Sequence, residues 1–218
     1  MKIIGIYGGG ATGRMLYDQL SIDQNILSEY ERIFFIDDTP GLTEEYGTEV
    51  FSFDSAIAKY SPEELYFFIT VGDPVMRELL WKKIKEAGYS CATWIHKNAF
   101  VSPSAKIGEG CMIDAYCAVD SNSVLRPNCY VYREAIVGHD SIIGENSMIG
   151  VGSFIGGHTT IEKNVFFGAG AACRDGITIG HDSVVGINSA VYKDVPSEYS
   201  AIGNPARNMR RSDKKIFK

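Results

Sequence analysis

Residues 136–161 read IVGHDSIIGENSMIGVGSFIGGHTTI, and within them a large apolar residue returns at every sixth position. The spacing extends in both directions without an insertion, over Ile95, Val101, Ile107, Ile113, Val119, Leu125, Val131, Val137, Ile143, Ile149, Ile155, Ile161, Phe167, Cys173, Ile179, Val185 and Val191. Four places after each of them stands a smaller residue. It is Ala, Cys, Ser or Thr in fourteen of the sixteen complete hexads and differs only at Val165 and Ile177.

This six-residue repeat decides the fold of the second half of the chain. A helix has a period of about 3.6 residues and a plain strand a period of 2, so the repeat fits neither by itself. It fits a short strand followed by a turn, repeated as in a hexapeptide β-solenoid. One hexad cannot bury its apolar side chain alone, whereas stacked coils make a continuous core.

The repeats resemble those of the hexapeptide-repeat acyltransferases, which form a left-handed, three-sided parallel β-helix. The resemblance implies the left-handed winding, because the general preference for right-handed crossovers would predict the opposite hand. It also implies three hexads per coil, with neighbouring coils about 4.8 Å apart.

The composition is that of an ordinary globular protein, with 218 residues, of which 45% are hydrophobic and 22% charged. A net charge of −6 argues against a nucleic-acid partner. The apolar runs are too short for a membrane span, and MKIIGIYGGG at the start indicates a strand and a glycine loop rather than a signal peptide. Cys111, Cys117, Cys129 and Cys173 occupy positions of the repeat, which favours buried thiols in a reducing cytoplasm over disulfides or nucleophiles.

The first 92 residues alternate strand and helix patterns. The predicted strands are Lys2–Tyr7, Ile33–Ile36 and Leu65–Val71, and the predicted helices run from Arg14 to about Leu20, from a cap at Asp54 through Lys59, and from Pro74 to about Ala87. This order predicts a small Rossmann-like α/β domain over residues 1–92. Residues 93–218 are predicted to form the β-helix domain with a C-terminal tail. That tail carries the basic residues Arg207, Arg210, Arg211, Lys214, Lys215 and Lys218 and one acid, Asp213. It is either a solvated terminus or a contact for a phosphorylated cofactor.

A glycine loop follows the first predicted strand. Gly8, Gly10 and Gly13 have the spacing of a dinucleotide fingerprint, and Asp37 follows twenty-four residues after Gly13. Glycines let the backbone approach a diphosphate, and the next helix offers it free N–H groups. Because the domain is too short for both halves of an NAD site, the loop favours a nucleotide-sugar diphosphate. NAD and a purely structural turn remain as alternatives.

The four histidines are His96, His139, His158 and His181. Counting hexads in threes places Gly157 one coil away from His139, with His158 beside it. A histidine next to a carboxylate, here Asp140, is the usual general base, and a free N–H of Gly157 would face an oxyanion. The alternatives are a surface histidine in a turn or a metal site shared by His139 and His158, for which a third imidazole is missing. His96 is predicted to be structural, and His181 to lie in a surface turn on another face.

Further motifs extend the resemblance over nearly the whole chain. They are GGGATGR at 8–14, FFIDD at 34–38, TVGDPVMR at 70–77, VGHDSIIGENSMIGVG at 137–152, FFGAGAA at 166–172, and VVGINSAVYKDVP with GNPAR further on. With these motifs the chain resembles the sialic acid O-acetyltransferase and nucleotide-sugar N-acetyltransferase family. The resemblance implies that the N-terminal domain binds a nucleotide sugar, that the β-helix forms a homotrimer, and that acetyl-CoA lies in a groove between two β-helices.

The same resemblance implies roles for individual residues. It places the catalytic histidine on His139 and its carboxylate on Asp140. It places substrate contacts on Gly10, Ala11 and Thr12 (phosphates), on Asp37 and Asp38 (base and ribose), and on Gly72. It places contacts to the thioester and the CoA chain on Met148, Gly157, Ala169 and Ile187. This chain departs from the pattern at Met148, where many members carry a second histidine, and at Thr12, where the loop often has histidine.

Together these observations predict an acetyl-CoA-dependent N-acetyltransferase that needs no metal. The expected substrate is a nucleotide-linked 4-amino-4,6-dideoxyhexose, UDP- or dTDP-linked by preference, used for surface polysaccharide or glycan precursors in the cytoplasm. Direct transfer with His139 as the base is expected, because no cysteine is placed to carry the acyl group. O-acetylation of a sialic-acid-like sugar is the closest alternative. A non-catalytic nucleotide-sugar scaffold and a zinc-dependent lyase or hydratase are less favoured.

Overall fold

The computed structural model describes residues 2–211, so the predicted tail residues Asp213, Lys214, Lys215 and Lys218 lie outside the described part. The proximity of Cα atoms divides the chain into two compact units. The first contains the residues up to Gly72 and Leu79–Ala92, and the second contains Asp73–Glu78 and the residues from Thr93 on. No helix among the described residues has the length and apolar character needed to cross a membrane.

The first unit consists of a six-stranded sheet and helices. Its strands are β1 (Ile3–Tyr7), β2 (Arg32–Ile36), β3 (Glu44–Glu45), β4 (Thr48–Phe51), β5 (Leu65–Ile69) and β6 (Ser90–Cys91). The helices are α1 (Ala11–Leu20), α2 (Gln24–Glu29), α3 (Phe53–Lys59) and α4 (Pro74–Glu86), of which the first turn of α4 groups with the second unit. The strand order is β3-β4-β2-β1-β5-β6, and every pair except β3–β4 is parallel.

The sequence predicted the central part of this sheet. Strand β1 is buried along its whole length between β2 and β5, which explains its uninterrupted apolar run. Two local predictions are corrected. Helix α3 is capped by the Ser52 hydroxyl, which accepts the Ser55 N–H, while Asp54 lies in the first turn. Helix α1 begins at Ala11, three residues before the predicted Arg14.

The second unit is a left-handed parallel β-helix of two-residue strands on three faces. The first face contains β7 (Trp94–Ile95), β10 (Met112–Ile113), β13 (Tyr130–Val131), β16 (Met148–Ile149), β19 (Phe166–Phe167) and β22 (Val184–Val185), extended by β24 (Tyr199–Ile202) and β25 (Arg207–Arg210). The second face contains β8 (Phe100–Val101), β11 (Ala118–Val119), β14 (Ile136–Val137), β17 (Phe154–Ile155), β20 (Ala172–Cys173) and β23 (Ala190–Val191). The third face contains β9 (Lys106–Ile107), β12 (Val124–Leu125), β15 (Ile142–Ile143), β18 (Thr160–Ile161) and β21 (Thr178–Ile179).

Each of these short strands ends on a residue of the apolar repeat, apart from the last two of the first face. Strands pair with a register of eighteen residues, such as Val137 with Val119 below and Ile155 above, so equivalent side chains stack through the core. Where the small residue of the hexad is serine, its hydroxyl can form a hydrogen bond to the neighbouring coil. The hydroxyls of Ser123 and Ser141 donate to the carbonyls of Gly138 and Gly156, 2.8 and 3.1 Å away.

The turns between the faces follow a second period of six that the sequence prediction did not use. From residue 110 to 188 every sixth residue has a positive φ: Gly110, Tyr116, Asn122, Asn128, Glu134, Asp140, Asn146, Gly152, His158, Asn164, Gly170, Gly176, Asp182 and Asn188. Gly, Asn and Asp tolerate this left-handed conformation best, which explains their frequency here. The catalytic candidate Asp140 and the neighbouring His158 both occupy such turn positions.

Candidate active site

His139 and Asp140 occupy the turn that follows β14. His139 Nδ1 lies 2.8 Å from Asp140 Oδ2, and the Asn122 side chain, one coil below, donates to Asp140 Oδ1 at 3.1 Å. The hydrogen bond from His139, followed by that from Asn122, holds the pKa of Asp140 below its ordinary value. An ionised Asp140 needs a proton on His139 Nδ1, so the lone pair of the imidazole is at Nε2. The side chain of His139 is 54% exposed and open to a reactant.

Gly157 stands one coil beyond His139, as the count of hexads predicted. A Cβ atom at this position would come within 2.7 Å of His139 Nε2, so any larger residue would have to displace the imidazole from this position. The expectation of a free Gly157 N–H is wrong, because this N–H donates to Asp175 Oδ1 at 3.1 Å. Asp175 lies eighteen residues after Gly157, and the same count of hexads would have found it.

His158 completes a cluster around Asp140. Its ring meets that of His139 edge to face at 4.9 Å between centroids, and its Nδ1 lies 4.0 Å from Asp140 Oδ2. His139, Asp140 and His158 have donor atoms that all lie within 4.8 Å of one another, and within the described ranges they form the single set with metal-ligand spacing. Two imidazoles and a carboxylate suit Zn²⁺, but all three are exposed, and Asp140 already binds His139 and Asn122. The arrangement is that of an oriented base.

A second dyad repeats this geometry at another corner. His181 Nδ1 lies 2.7 Å from Asp182 Oδ2, and the Asn164 side chain donates to Asp182 Oδ1 at 3.1 Å. His181 is in a turn, as predicted, and borders a groove of about 300 Å³. The coil beyond it differs, because Ser197 rather than a glycine packs against the Gly180 that precedes His181. The second dyad therefore has the same His–Asp–Asn hydrogen bonds as the first but lacks the glycine in the next coil, and it can serve as a control when His139 is substituted.

The predicted contacts to CoA are distributed over separate parts of the β-helix. Met148 is 1% exposed on the first face, so its side chain cannot contact a cofactor in this chain, and that prediction is corrected. Ala169 is half-buried and Ile187 is 69% exposed. Both lie in turns that follow strands of the first face, whereas His139 follows the second face. A single chain therefore presents them on different corners.

The predicted phosphate positions lie at the start of α1. Gly10 is the N-cap without a side-chain hydrogen bond, and it is exposed together with Ala11, while Thr12 is half-buried. The first-turn N–H groups of a helix attract anions when no side chain caps them. A Cβ at Gly72, after β5, would meet no atom within 4 Å, so space is open there as well.

Asp37 and Asp38 are engaged inside their own unit. Asp37 accepts the N–H groups of Gly9 at 3.2 Å and Thr39 at 3.0 Å. Burial acts to raise the pKa of Asp37, but the hydrogen bonds from Thr39 and Gly9 outweigh it and hold the pKa below its usual value. Asp37 thus shapes the glycine loop in addition to any contact with a ligand.

Asp38 is held by partners that the sequence did not reveal. It accepts hydrogen bonds from Lys83 Nζ at 2.8 Å, from the Phe53 N–H at 2.8 Å and from the Tyr7 hydroxyl. Burial and then the hydrogen bond to Asp38 raise the pKa of Tyr7 well above its ordinary value. Tyr7 therefore stays a neutral donor at this edge of the sheet.

Two family models match the two parts of the chain: the PglD N-terminal domain over residues 3–84 and the GMPPB C-terminal domain over residues 90–198. GDP-perosamine N-acetyltransferase of Escherichia coli O157:H7 is 30% identical over 223 residues, which cover 99% of this chain and all of that protein. The acetyltransferase domain of PglB from Neisseria gonorrhoeae FA1090, solved in complex with acetyl coenzyme A, is 27% identical with a TM-score of 0.88 and covers 95% of this chain and 99% of that one. PerB from Caulobacter crescentus, in complex with CoA and GDP-perosamine, is 28% identical with a TM-score of 0.85 and covers 96% of this chain and 97% of that one.

Proposed function

This chain belongs to the nucleotide-sugar N-acetyltransferases with hexapeptide repeats, and we propose that it acetylates the 4-amino group of a GDP-linked 4-amino-4,6-dideoxyhexose. The sequence favoured UDP or dTDP, a preference that is not confirmed. GDP-perosamine is named for both the Escherichia coli relative and the Caulobacter structure, so guanine becomes the proposed base. Such a product would serve surface polysaccharide synthesis. A cytoplasmic location remains a proposal, supported by the five free, buried cysteines.

The His139–Asp140 dyad is the observation that carries this proposal. With Nδ1 fixed on Asp140, Nε2 takes a proton from the sugar amine as its nitrogen attacks the thioester carbonyl carbon. The new C–N bond forms, the C–S bond breaks, and the imidazolium returns the proton to the departing CoA thiolate. Gly157, against the imidazole, is the proposed donor to the oxyanion once its N–H is released.

Direct transfer is proposed over an acyl-enzyme because burial keeps all five thiols away from a substrate. All five cysteines are buried and none can meet a thioester without opening the core. Burial raises the pKa of Cys117 to about 12 and that of Cys129 well above the usual thiol value. A cysteine route would need an exposed thiolate, which the described residues do not offer.

For the nucleotide sugar we propose the edge of the first unit where its strands end. The uncapped N-terminus of α1, at Gly10, Ala11 and Thr12, suits the diphosphate. Asp37 and Asp38 remain the proposed contacts to base and ribose. Each oxygen of Asp37 accepts one hydrogen bond and keeps a second lone pair for a ligand donor. Asp38 offers such a lone pair on Oδ1 alone, because its Oδ2 accepts from both Lys83 and Tyr7.

A homotrimer with shared active sites is proposed for acetyl-CoA binding. His139 and the pair Ala169 and Ile187 follow different faces of the β-helix, so one cofactor can contact all three when they come from neighbouring subunits. The outward residues of the second face are apolar throughout: Phe100, Ala118, Ile136, Phe154, Ala172 and Ala190. Phe100, Ile136 and Phe154 are 58%, 38% and 44% exposed, which is typical of a surface that a partner covers.

The test is CoA release from acetyl-CoA with GDP-, UDP- and dTDP-linked 4-amino-4,6-dideoxyhexoses. We expect turnover with the GDP sugar and a loss of at least about 100-fold in kcat for His139→Asn, since a positioned general base contributes about 10²–10⁴-fold. The matched control is His181→Asn, which removes the second dyad and should leave kcat within about twofold. Equal losses in both variants, or retention of more than about a tenth of the rate in His139→Asn, would contradict the assignment.

A further inference from the structure

Asp175 lies on the opposite side of Gly157 from His139. Its Oδ1 accepts the Gly157 N–H at 3.1 Å, and a Cβ atom at Gly156 would come within 2.4 Å of the same oxygen. On the other side, a Cβ at Gly157 would come within 2.7 Å of the His139 Nε2 atom. The two consecutive glycines therefore fit between an imidazole in the preceding coil and a carboxylate in the following coil.

This carboxylate occupies the place that an acyl oxygen needs. The Gly157 N–H has one hydrogen, and an oxyanion held by it would have to lie about 3 Å from the nitrogen, where Asp175 Oδ1 now lies. A negative charge that develops beside this carboxylate is also unfavourable. Asp175 is exposed in the turn that follows β20, so its side chain has room to rotate into solvent.

We propose that Asp175 is a displaceable cap on the Gly157 N–H, which acetyl-CoA must remove to place its thioester oxygen there. This inference rests on the proposed function, in which Gly157 is the oxyanion donor. Only hydrogen bonds change: the N–H exchanges Asp175 Oδ1 for the thioester oxygen, and Asp175 becomes hydrated. Asp175 is a positioning residue, because it acts on the reaction through Gly157.

The cap distinguishes acetyl-CoA from CoA. Acetyl-CoA carries the thioester carbonyl and has to displace Asp175, whereas free CoA lacks that carbonyl and binds with the cap in place. Removing the carboxylate should therefore strengthen the binding of acetyl-CoA and leave the binding of CoA unchanged. A merely structural role for Asp175 would affect both ligands alike.

Calorimetric titration of the full chain with acetyl-CoA and, separately, with CoA tests this proposal without any sugar acceptor. For Asp175→Ala we expect about threefold to tenfold tighter binding of acetyl-CoA, the range of one modest hydrogen bond, and a change of less than about twofold for CoA. Asp175→Asn keeps the shape and loses the charge, so its gain should be smaller. Glu162→Ala is the matched control, because Glu162 accepts the His181 N–H at 2.7 Å at the second dyad, and it should change neither affinity.

The proposal that Asp175 is a cap would be overturned if Asp175→Ala bound acetyl-CoA no more tightly than the wild type. It would also be overturned if the affinity for CoA rose by the same factor. If that variant fails to fold by circular dichroism, Asp175→Asn decides by the same comparison. Transfer to the GDP sugar is measured on the same wild-type protein. If the wild-type protein binds acetyl-CoA but transfers no acetyl group to the GDP sugar, the proposed function is rejected. The comparison of acetyl-CoA and CoA binding would then still test the role of Asp175. Normal transfer with no ligand-specific effect would reject the cap alone.

Discussion

Hydrogen bonds to exposed carboxylates determine the local chemistry of both units. Asp140 is held by His139 and Asn122, and its lowered pKa keeps it ionised wherever the imidazole is to act as a base. Asp38 is held by Lys83, the Phe53 N–H and Tyr7. Burial acts to raise the pKa of Asp38, but these three bonds outweigh it and leave the pKa below its ordinary value of 3.8.

A stability measurement on Asp38→Asn tests this arrangement. A pKa lowered in the folded state contributes stability above the unfolded pKa and loses it as the pH falls through the folded pKa. The substitution should therefore lower the free energy of unfolding at pH 7, by less than about 1 kcal/mol because Asp38 is 45% exposed and screened by solvent. Urea titrations from pH 7 to pH 3 should show this difference constant above about pH 5 and shrinking below pH 4. A difference that grows in acid would contradict the lowered pKa.

For individual residues, the sequence predicts the contacts that follow from the six-residue repeat, between residues eighteen positions apart. Counting in eighteens placed Gly157 beside His139, and the same count leads to Asn122 from Asp140 and to Asp175 from Gly157. The contacts of Asp38 follow no such rule. Lys83 and Tyr7 lie 45 and 31 residues away from it, on a helix and a strand whose packing depends on the whole first unit. Sequence reasoning had no means of pairing them.

At one corner of the β-helix, hydrogen bonds between asparagine side chains connect the stacked turns. The Asn128 side chain donates to Asn146 Oδ1 at 2.9 Å, Asn146 to Asn164 Oδ1 at 3.0 Å, and Asn164 to Asp182 and Glu78. The guanidinium of buried Arg77 donates to Asn128 Oδ1 at 2.7 Å. The amide dipoles therefore run in one direction, from a cation at one end to two carboxylates at the other.

Two substitutions at Asn146 separate the effect of these hydrogen bonds from that of the turn. Asn146→Ala breaks two buried hydrogen bonds and places alanine at φ 61°, so we expect a loss of about 2–4 kcal/mol in the free energy of unfolding. Asn146→Gly breaks the same bonds without the backbone strain and should be about 1 kcal/mol less destabilising. Urea denaturation compares them, and an alanine variant as stable as the glycine variant would show that the left-handed turn imposes no strain.

The sequence predicted elements where its pattern is long and missed those where it is short. Sixteen hexads specify the β-helix strands almost to the residue, because a shift by one position would turn every core residue outward. In the first unit α2, β3, β4 and β6 were not predicted. Strands β3 and β6 have two residues each, and α2 has six, too few for any period to show. Most of the left-handed turn positions carry Asn, Asp or Gly at every sixth place, a second periodic signal that the apolar repeat alone does not include.

The second face of the β-helix is the proposed contact with another subunit. The outward residues of the second face are all apolar, whereas those of the third face, Lys106, Val124, Ile142, Thr160 and Thr178, include a charge and two hydroxyls. His139 lies at the edge of the second face. An interface there would bring the neighbouring chain next to the dyad, where the proposed acetyl-CoA groove requires it.

Ile136 and Ile142 form a matched pair for testing this interface, because each is 38% exposed, Ile136 on the second face and Ile142 on the third. Ile136→Glu would bury a charge in the proposed interface, so we expect light scattering to show monomers and CoA release to fall at least about tenfold. Ile142→Glu should leave a trimer of normal activity, because its charge stays in solvent. A trimeric and active Ile136→Glu would exclude the second face. If Ile136→Glu is monomeric and fully active, one chain binds acetyl-CoA by itself. The contacts assigned to Ala169 and Ile187 would then be wrong, because these residues lie at a different corner from His139.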